Sequence, residues 1–319
     1  MQADGNQPLV SIFCVAPQRW YASSLSNRTV CYNPVNTIAN KALTLVFVAG
    51  VIGVSGVSSQ AVTIYANSAS FGPDLVDRYG VVGANGVLQD TYEVSDGNGR
   101  GVVVVGNVMY TTQSGPAGDI FGGDNKIYMT DLTTHTSLGT ITVAGLPSGA
   151  AMSTLAWDGS QFWTSEYLGG NHAYRIDLSG NITKTIQLSL ADHNMDGMEY
   201  FDGKLISNRG DVEGPYDVYD TDGNLIQAAF INDPDGTGIA YDGTYFYTSH
   251  FSFLKRWDST GAFIEDITLD SGSMVIEDLS VDYATRPDTG RVPDAGGTLA
   301  LLGIGLTGLF GARRFFAQA

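Results

Sequence analysis

The sequence predicts an all-β fold, a β-propeller of four-stranded blades, and three observations lead to it. Glycine supplies 40 of the 319 residues while charged residues make up only 15%. That balance suits short strands joined by tight turns and denies helices the Glu, Lys and Arg their wet faces need. A pair of hairpins recurs along the chain, and it does so at a near-constant interval. The step is 44 residues from Asp158 to Asp202 and 40 from Asp202 to Asp242, the period of propeller blades.

The first hairpin of each pair reads STLAWDGSQFWTS from Ser153, GMEYFDGKLISN from Gly197 and GIAYDGTYFYTS from Gly238, with a weaker copy, VVVVGNVMYTTQ, from Val102. Each is a strand, a two-residue Asp-Gly or Gly-Asn turn, and a second strand with alternating aromatics, which is a tight hairpin signal. The second hairpin follows as KIYMTDLTTHTSLGTITV, AYRIDLSGNITKTIQL, YDVYDTDGNLIQAAFI and LKRWDSTGAFIEDITL. An aspartate opens each of these turns, namely Asp131, Asp177, Asp220 and Asp258, where its carboxylate can accept backbone N–H bonds. The longer step into the Asp158 unit is filled by the insertion GPAGDIFGG. A β-sandwich also has many short strands, but it does not repeat one hairpin pair at a fixed interval.

The two ends of the repeat region complement each other. Ile276 to Tyr283 reads as the first strand of a further blade and then runs into a linker from Thr285 to Gly290. Ala61 to Asn67, Leu75 to Tyr79 and Val87 to Ser95 read as second, third and fourth strands. One strand from the end and three from the beginning make one blade, so the ring closes with mixed termini and hides two sheet edges. The count is five blades, or six if Phe71 to Gly101 holds more strands.

Outside this region the sequence reads as addresses. From Lys41 a positive flank, an apolar run and small residues ending at Ser59-Gln60-Ala61 make a secretory signal over residues 41–61. Met1 to Asn40 shows neither strand alternation nor helical period. It reads as upstream sequence in frame, with Val35 as an alternative start, or as a short extension. Both cysteines, Cys14 and Cys31, precede the signal, so the exported region has no disulfide or thiolate chemistry. Residues 62–285 form the propeller, and a linker over 286–297 leads to a hydrophobic helix expected over 298–319. There an apolar run from Thr298 to Ala312 is followed by Arg313 and Arg314, a basic stop that stays cytoplasmic.

Val292-Pro293-Asp294-Ala295-Gly296, the short hydrophobic stretch and the terminal arginines resemble the exosortase-dependent PEP-CTERM tails, most closely their VPDSG-CTERM variant, over about the last 28 residues. Ala295 stands where that variant has serine. The resemblance implies an exported precursor held in the inner membrane until an exosortase cuts near the motif and passes it to the envelope, cell surface or extracellular matrix.

Charge restricts the partners. Between Val62 and Arg291 there are 11 Lys and Arg against 31 Asp and Glu, the wrong sign for a phosphate backbone, which excludes nucleic acid. Cations and sugars remain. Propeller ligands commonly meet the mouth of the central channel, where the first strand of each blade begins. The residues two before the first large apolar residue of those strands are Ser153, Asp196, Thr237 and Glu277. Two carboxylates and two hydroxyls facing one axis could hold Ca²⁺ or another hard cation, with Asp192, His193, Asn194, Asp235 and Asp278 in neighbouring loops. His193 is a general-base candidate without an identifiable nucleophile, whereas His135, His172 and His250 read as surface strand or loop residues. Trp163, Tyr167, Tyr216, Tyr245, Tyr247, Phe251 and Phe253 are either sugar-stacking rings or inter-blade packing. No Gly-x-Ser-x-Gly, His-Glu-x-x-His or phosphate-cradling loop is present.

The hairpins resemble those of the YVTN, NHL and lactonase-like propellers over roughly 220 residues. The calcium-dependent lactonases among them imply an axial ion held by Glu, Asn and Asp, but no asparagine occupies the equivalent strand starts here. The residues favour a non-enzymatic, envelope-sorted binding or scaffold protein, meeting exopolysaccharide or another surface component. The alternative is a metal-dependent lactonase or hydrolase.

Overall fold

The computed structural model describes residues 61–69, 73–116, 122–146, 151–167, 170–192, 194–210, 214–272 and 275–287. These hold strands and no α-helix. The predicted extension, the signal apart from Ala61, the VPDAG motif, the arginine pair, the C-terminal helix and His193 lie outside the described residues.

The strands fall into five four-stranded antiparallel blades, each running from the axis outward. Blade 1 combines β21 (Ile276–Ser280) with β1 (Val62–Ser68), β2 (Asp74–Val82) and β3 (Asn85–Ser95). Blade 2 is β4 (Gly97–Val105), β5 (Val108–Pro116), β6 (Lys126–Asp131) and β7 (Ser137–Thr142). In blade 3 the inner strand is split into β8 (Ala151–Met152) and β9 (Ala156–Trp157), both paired with β10 (Phe162–Tyr167), followed by β11 (His172–Ile176) and β12 (Ile182–Gln187). Blade 4 is β13 (Met198–Phe201), β14 (Lys204–Ser207), β15 (Tyr216–Asp220) and β16 (Leu225–Ile231). Blade 5 is β17 (Ile239–Tyr241), β18 (Phe246–Ser249), β19 (Phe253–Trp257) and β20 (Phe263–Leu269).

The predicted closure is present. β21 pairs antiparallel with β1 through Tyr65↔Ser280, Ala66↔Leu279 and Asn67↔Asp278. A short parallel contact, Thr268↔Asn85 and Leu269↔Gly86, ties the outer strands of blades 5 and 1 into one sheet. The six-blade alternative falls, because Phe71 to Gly101 holds β2, β3 and the beginning of β4, each already assigned. The weak first repeat begins five residues earlier than its sequence suggested, at Gly97 rather than Val102.

Five apolar clusters fill five seams. Val102, Val104 and Met109 of blade 2 meet Tyr65, Val76 and Tyr92 of blade 1. Val103 and Ile127 meet Phe162 and Ile176 of blade 3. Trp163 and Ala173 meet Met198 and Leu205 of blade 4, and Tyr216 and Val218 meet Ile239 and Phe246 of blade 5. Tyr247 and Leu254 then meet Ile64 and Leu279 of blade 1. As many seams as blades means a closed ring, and burial of both faces of each sheet explains why inner strands such as Val102-Val103-Val104 are apolar on successive residues. The alternating aromatics Trp163, Tyr216 and Tyr247 are seam residues buried to within about 1% of their surface, so packing claims them.

The turns behave partly as read. Asp131, Asp177, Asp220 and Asp258 each accept two backbone N–H bonds from their own turn at 2.8 to 3.0 Å. These bonds hold all four carboxyls below their usual range, with side-chain hydrogen bonds the leading cause for Asp220 and Asp258. In the first hairpins only Asp202-Gly203 and Gly106-Asn107 are two-residue turns. Asp158 and Asp242 instead open four-residue loops closed by Asp158 N–H to the Gln161 carbonyl and Asp242 N–H to the Tyr245 carbonyl, both 3.0 Å. The aspartate carboxylate supplies the extra bonds that a longer loop needs.

The glycine of each Asp-x-x-Gly turn has a second duty. Gly180 and Gly261 have φ of 85° and 80°, and a Cβ on either would collide with the outermost strand of the preceding blade, at the Thr142 and Phe230 carbonyls respectively. Gly203, at φ 76°, faces open space. Gly261→Ala should therefore lose about 2–4 kcal/mol, combining left-handed strain with a backbone collision, whereas Gly203→Ala should lose about 1–2 kcal/mol from strain alone. Urea midpoints of the two variants test this, and equal losses would remove the inter-blade contact from the account.

Candidate functional site at the axial mouth

The innermost strands of all blades enter the ring from one end, so their first residues meet around the axis. The rule that picked Ser153, Asp196, Thr237 and Glu277 also selects Arg100, two residues before Val102, once the weak first repeat is included. Sequence reading passed over it because that copy lacks the Asp-Gly turn. Arg100 proves central. Its Nη1 lies 3.2 Å from Glu277 Oε2 and 3.9 Å from Asp196 Oδ1. Its Nε faces Ser114 Oγ at 3.4 Å, and its guanidinium stacks on the Tyr167 ring, 4.5 Å from the centroid. The Arg100 side chain is only 5% exposed, while Asp196 and Glu277 keep 22% and 15%, so the carboxylates form the open surface and the cation lies beneath them.

The two hydroxyls do not join this group. Ser153 is buried and bonds Ser165 Oγ at 2.9 Å. Thr237 Oγ1 bonds Ser249 Oγ at 2.9 Å and donates to the Ile276 carbonyl at 2.7 Å. Both are turned toward neighbouring strands. Asp235 is exposed on the rim, and Tyr167 is half-buried. Trp163, proposed from sequence as a ligand-facing ring, is 1% exposed inside the seam between blades 3 and 4 and has no face to offer.

Electrostatics follow from this packing. Burial and then the charge of Glu277 push the Asp196 carboxyl up to about 7, against the pull of Arg100. Burial likewise raises Glu277, with Arg100 opposing. One guanidinium therefore serves two acids, each of which burial tilts toward its protonated form. A hard divalent cation asks for six to eight oxygen ligands. Here the hydroxyls point away, Arg100 supplies the positive charge, and among the described residues no group of three His, Cys, Asp or Glu is placed to hold a metal ion. The donor set does not fit the cation expected at Asp196 and Glu277.

Blade 5 carries a second network on the same face. Buried Asp233 accepts bonds from His250 Nε2 at 2.9 Å, Lys255 Nζ at 2.7 Å and Thr248 Oγ1 at 2.5 Å. Burial alone would raise its pKa, but these donors hold it below the usual carboxylate range. His250, read from sequence as a surface residue, is 6% exposed and stacked on Phe253.

The opposite end of the axis is closed by the chain's own exit. Arg286 Nη1 pairs with Glu199 Oε1 at 3.0 Å, and Nη2 donates to the Tyr200 carbonyl at 3.0 Å. Tyr283 donates its hydroxyl to the same Glu199 oxygen at 2.6 Å. Its ring lies under the Arg286 guanidinium.

A raised folded pKa means that the neutral acid is favoured by folding. The stability Asp196 contributes is thus complete below its unfolded value of 3.8 and is lost as pH climbs through about 7. Calorimetric melting from pH 4 to 8 should show the wild type falling more steeply than Asp196→Asn, and parallel curves would refute the assignment.

Residues 291–316 match the VPDSG-CTERM motif. Among solved structures, the crystal structure of Myxococcus xanthus glutaminyl cyclase is similar at 14% identity and a TM-score of 0.40, over 61% of this chain and 76% of that one. No curated protein matches the chain. The motif marks the chain as an exported, surface-sorted protein handled by an exosortase-like system.

Proposed function

We propose that the chain is an envelope-anchored binding protein whose axial mouth holds a segment of surface polysaccharide. The observation that carries this reading is the Asp196 and Glu277 pair, partly open to solvent and braced from below by Arg100. Carboxylates at such a mouth accept hydrogen bonds from vicinal hydroxyls and from ammonium groups. Among the described residues no activated nucleophile stands beside them: Ser153 is buried and bonded to Ser165. The tail supplies the address, first in the inner membrane and then, after cutting near Val292-Pro293-Asp294-Ala295-Gly296, at the cell surface or in the matrix. The likeness to YVTN, NHL and lactonase-like propellers rests on the hairpin motifs, and the hydrolase alternative gains nothing from two carboxylates that already face an arginine.

The test is isothermal calorimetry of the full chain with glucosamine oligomers, free and N-acetylated. Free-amine oligomers should bind more tightly, with an affinity that falls with salt and rises with pH through about 7, where Asp196 becomes charged. Asp196→Asn and Glu277→Gln should each weaken binding by about tenfold or more. Absence of heat from either oligomer, or variants that bind like the wild type, would refute the reading. Hydrolysis that needs an added divalent cation and disappears in Glu277→Ala would replace it with the enzyme.

A further inference from the structure

A cavity of about 500 Å³ opens at the end of the axis opposite Arg100, in the seam between blades 5 and 1. That volume lies within the range of about 300–1,000 Å³ typical of small-ligand sites. Its walls come from the beginning of β1, the Asp242 loop, β18, β19 and the segment after β21. Glu277 lies near the beginning of β21 and Asp282 two residues past its end, so the cavity and the mouth are separate.

The wall chemistry is specific. Tyr245 and Tyr247 line it side by side, and Arg256 is centred 5.6 and 5.5 Å from the two rings. Arg256 is itself fixed, donating to Glu265 Oε1 at 2.6 Å and to the Gly83 carbonyl at 2.9 Å. Tyr247 is buried and its hydroxyl donates to Asp242 Oδ2 at 2.8 Å. Tyr245 is only half-buried and offers the accessible ring. Around it stand hydroxyls of exposed Thr63 and Thr244 and the Asp282 carboxylate, whose Oδ1 already holds the Gly106 and Ala284 N–H groups at 2.8 and 2.9 Å.

We infer that this cavity is a second binding site, for a neutral pyranose or disaccharide. A braced aromatic ring receives the C–H face of a sugar, and the flanking hydroxyls and carboxylate oxygen take its hydroxyl groups. Neutrality follows from the charges. The two arginines in the described wall are paired with Glu265 and Glu199, and Asp242 and Asp282 repel an acidic sugar. This site does not depend on the axial-mouth reading. With saccharides bound at both ends of the axis, one molecule joins two polysaccharide strands.

Saturation-transfer NMR on the full chain, with cellobiose, maltose, lactose and digalacturonate as probes, tests the assignment. At least one neutral disaccharide should receive transfer and digalacturonate none. Tyr245→Ala, which removes the ring, and Thr63→Trp, which fills the cavity, should each weaken binding by about tenfold or more. Asp196→Asn at the other end should leave it intact, which separates this site from the mouth. Because Tyr245 packs against the seam cluster, the exposed Thr63 position keeps the test decisive if Tyr245→Ala fails to fold. The proposal is overturned if no neutral disaccharide receives transfer, if transfer survives Thr63→Trp combined with Asp196→Asn, or if digalacturonate binds equally well.

Discussion

The hydrogen bonds between β1 and β21 join residues more than two hundred positions apart, and the remaining architecture is arranged by that join. They complete blade 1, place Glu277 within reach of Arg100, and aim Asp278 Oδ2 at the Val102 N–H, 3.0 Å away in the next blade. Without β21, β1 would present an open edge and the seam with blade 5 would lose Ile276, Leu279 and Val281. The first and last described residues of the propeller are thus the ones that make it a ring. The entropic cost of so distant a contact is offset only when the blades between are already stacked.

Closure also sets the electrostatics. Five inner strands crowd the axis closely enough that a Cβ on Gly238 would meet the Asp278 backbone, and one on Gly101 would find Thr154 and Leu155 backbone atoms at 2.6 Å. Little room remains for water, and burial dominates the titration of every axial acid. Asp196, Glu277, Asp278 and Glu199 are all raised by it. The protein answers with one arginine at each end, Arg100 at the mouth and Arg286 at the exit. Asp278, between them, relies on backbone N–H bonds. In a chain with so few cations, placing two of them here is what makes a carboxylate-lined axis tolerable.

Much of this was readable before any coordinate. The paired hairpins, the turn-opening aspartates and the complementary ends all depend on local residue order, which sequence displays directly. Arg100 escaped notice because its repeat had drifted: Gly106-Asn107 replaces the Asp-Gly turn, and the anchor for counting was lost. The hydroxyls of Ser153 and Thr237 turn toward Ser165 and Ser249, a choice made by neighbouring strands that no spacing rule contains. His250 and Trp163 were misjudged for the same reason, since burial is decided by the adjoining blade. The seam cavity was invisible because residues 61–63, 242–256 and 281–287 meet only after closure.

The polarity of the ring connects these parts. All inner strands begin at the mouth, so an uninterrupted blade 1 must receive both chain ends at the other side: Ala61 and Pro287 line the same cavity. The sorting motif at residues 291–316 follows Pro287 by a few residues, and each residue of chain spans at most about 3.6 Å. An attachment made through that tail would therefore start from the cavity side of the ring. The Arg286 and Tyr283 contacts to Glu199 fix where the chain departs. Asp196 and Glu277 over Arg100 stand at the opposite end, so the mouth and the chain's exit from the propeller occupy different ends of the axis.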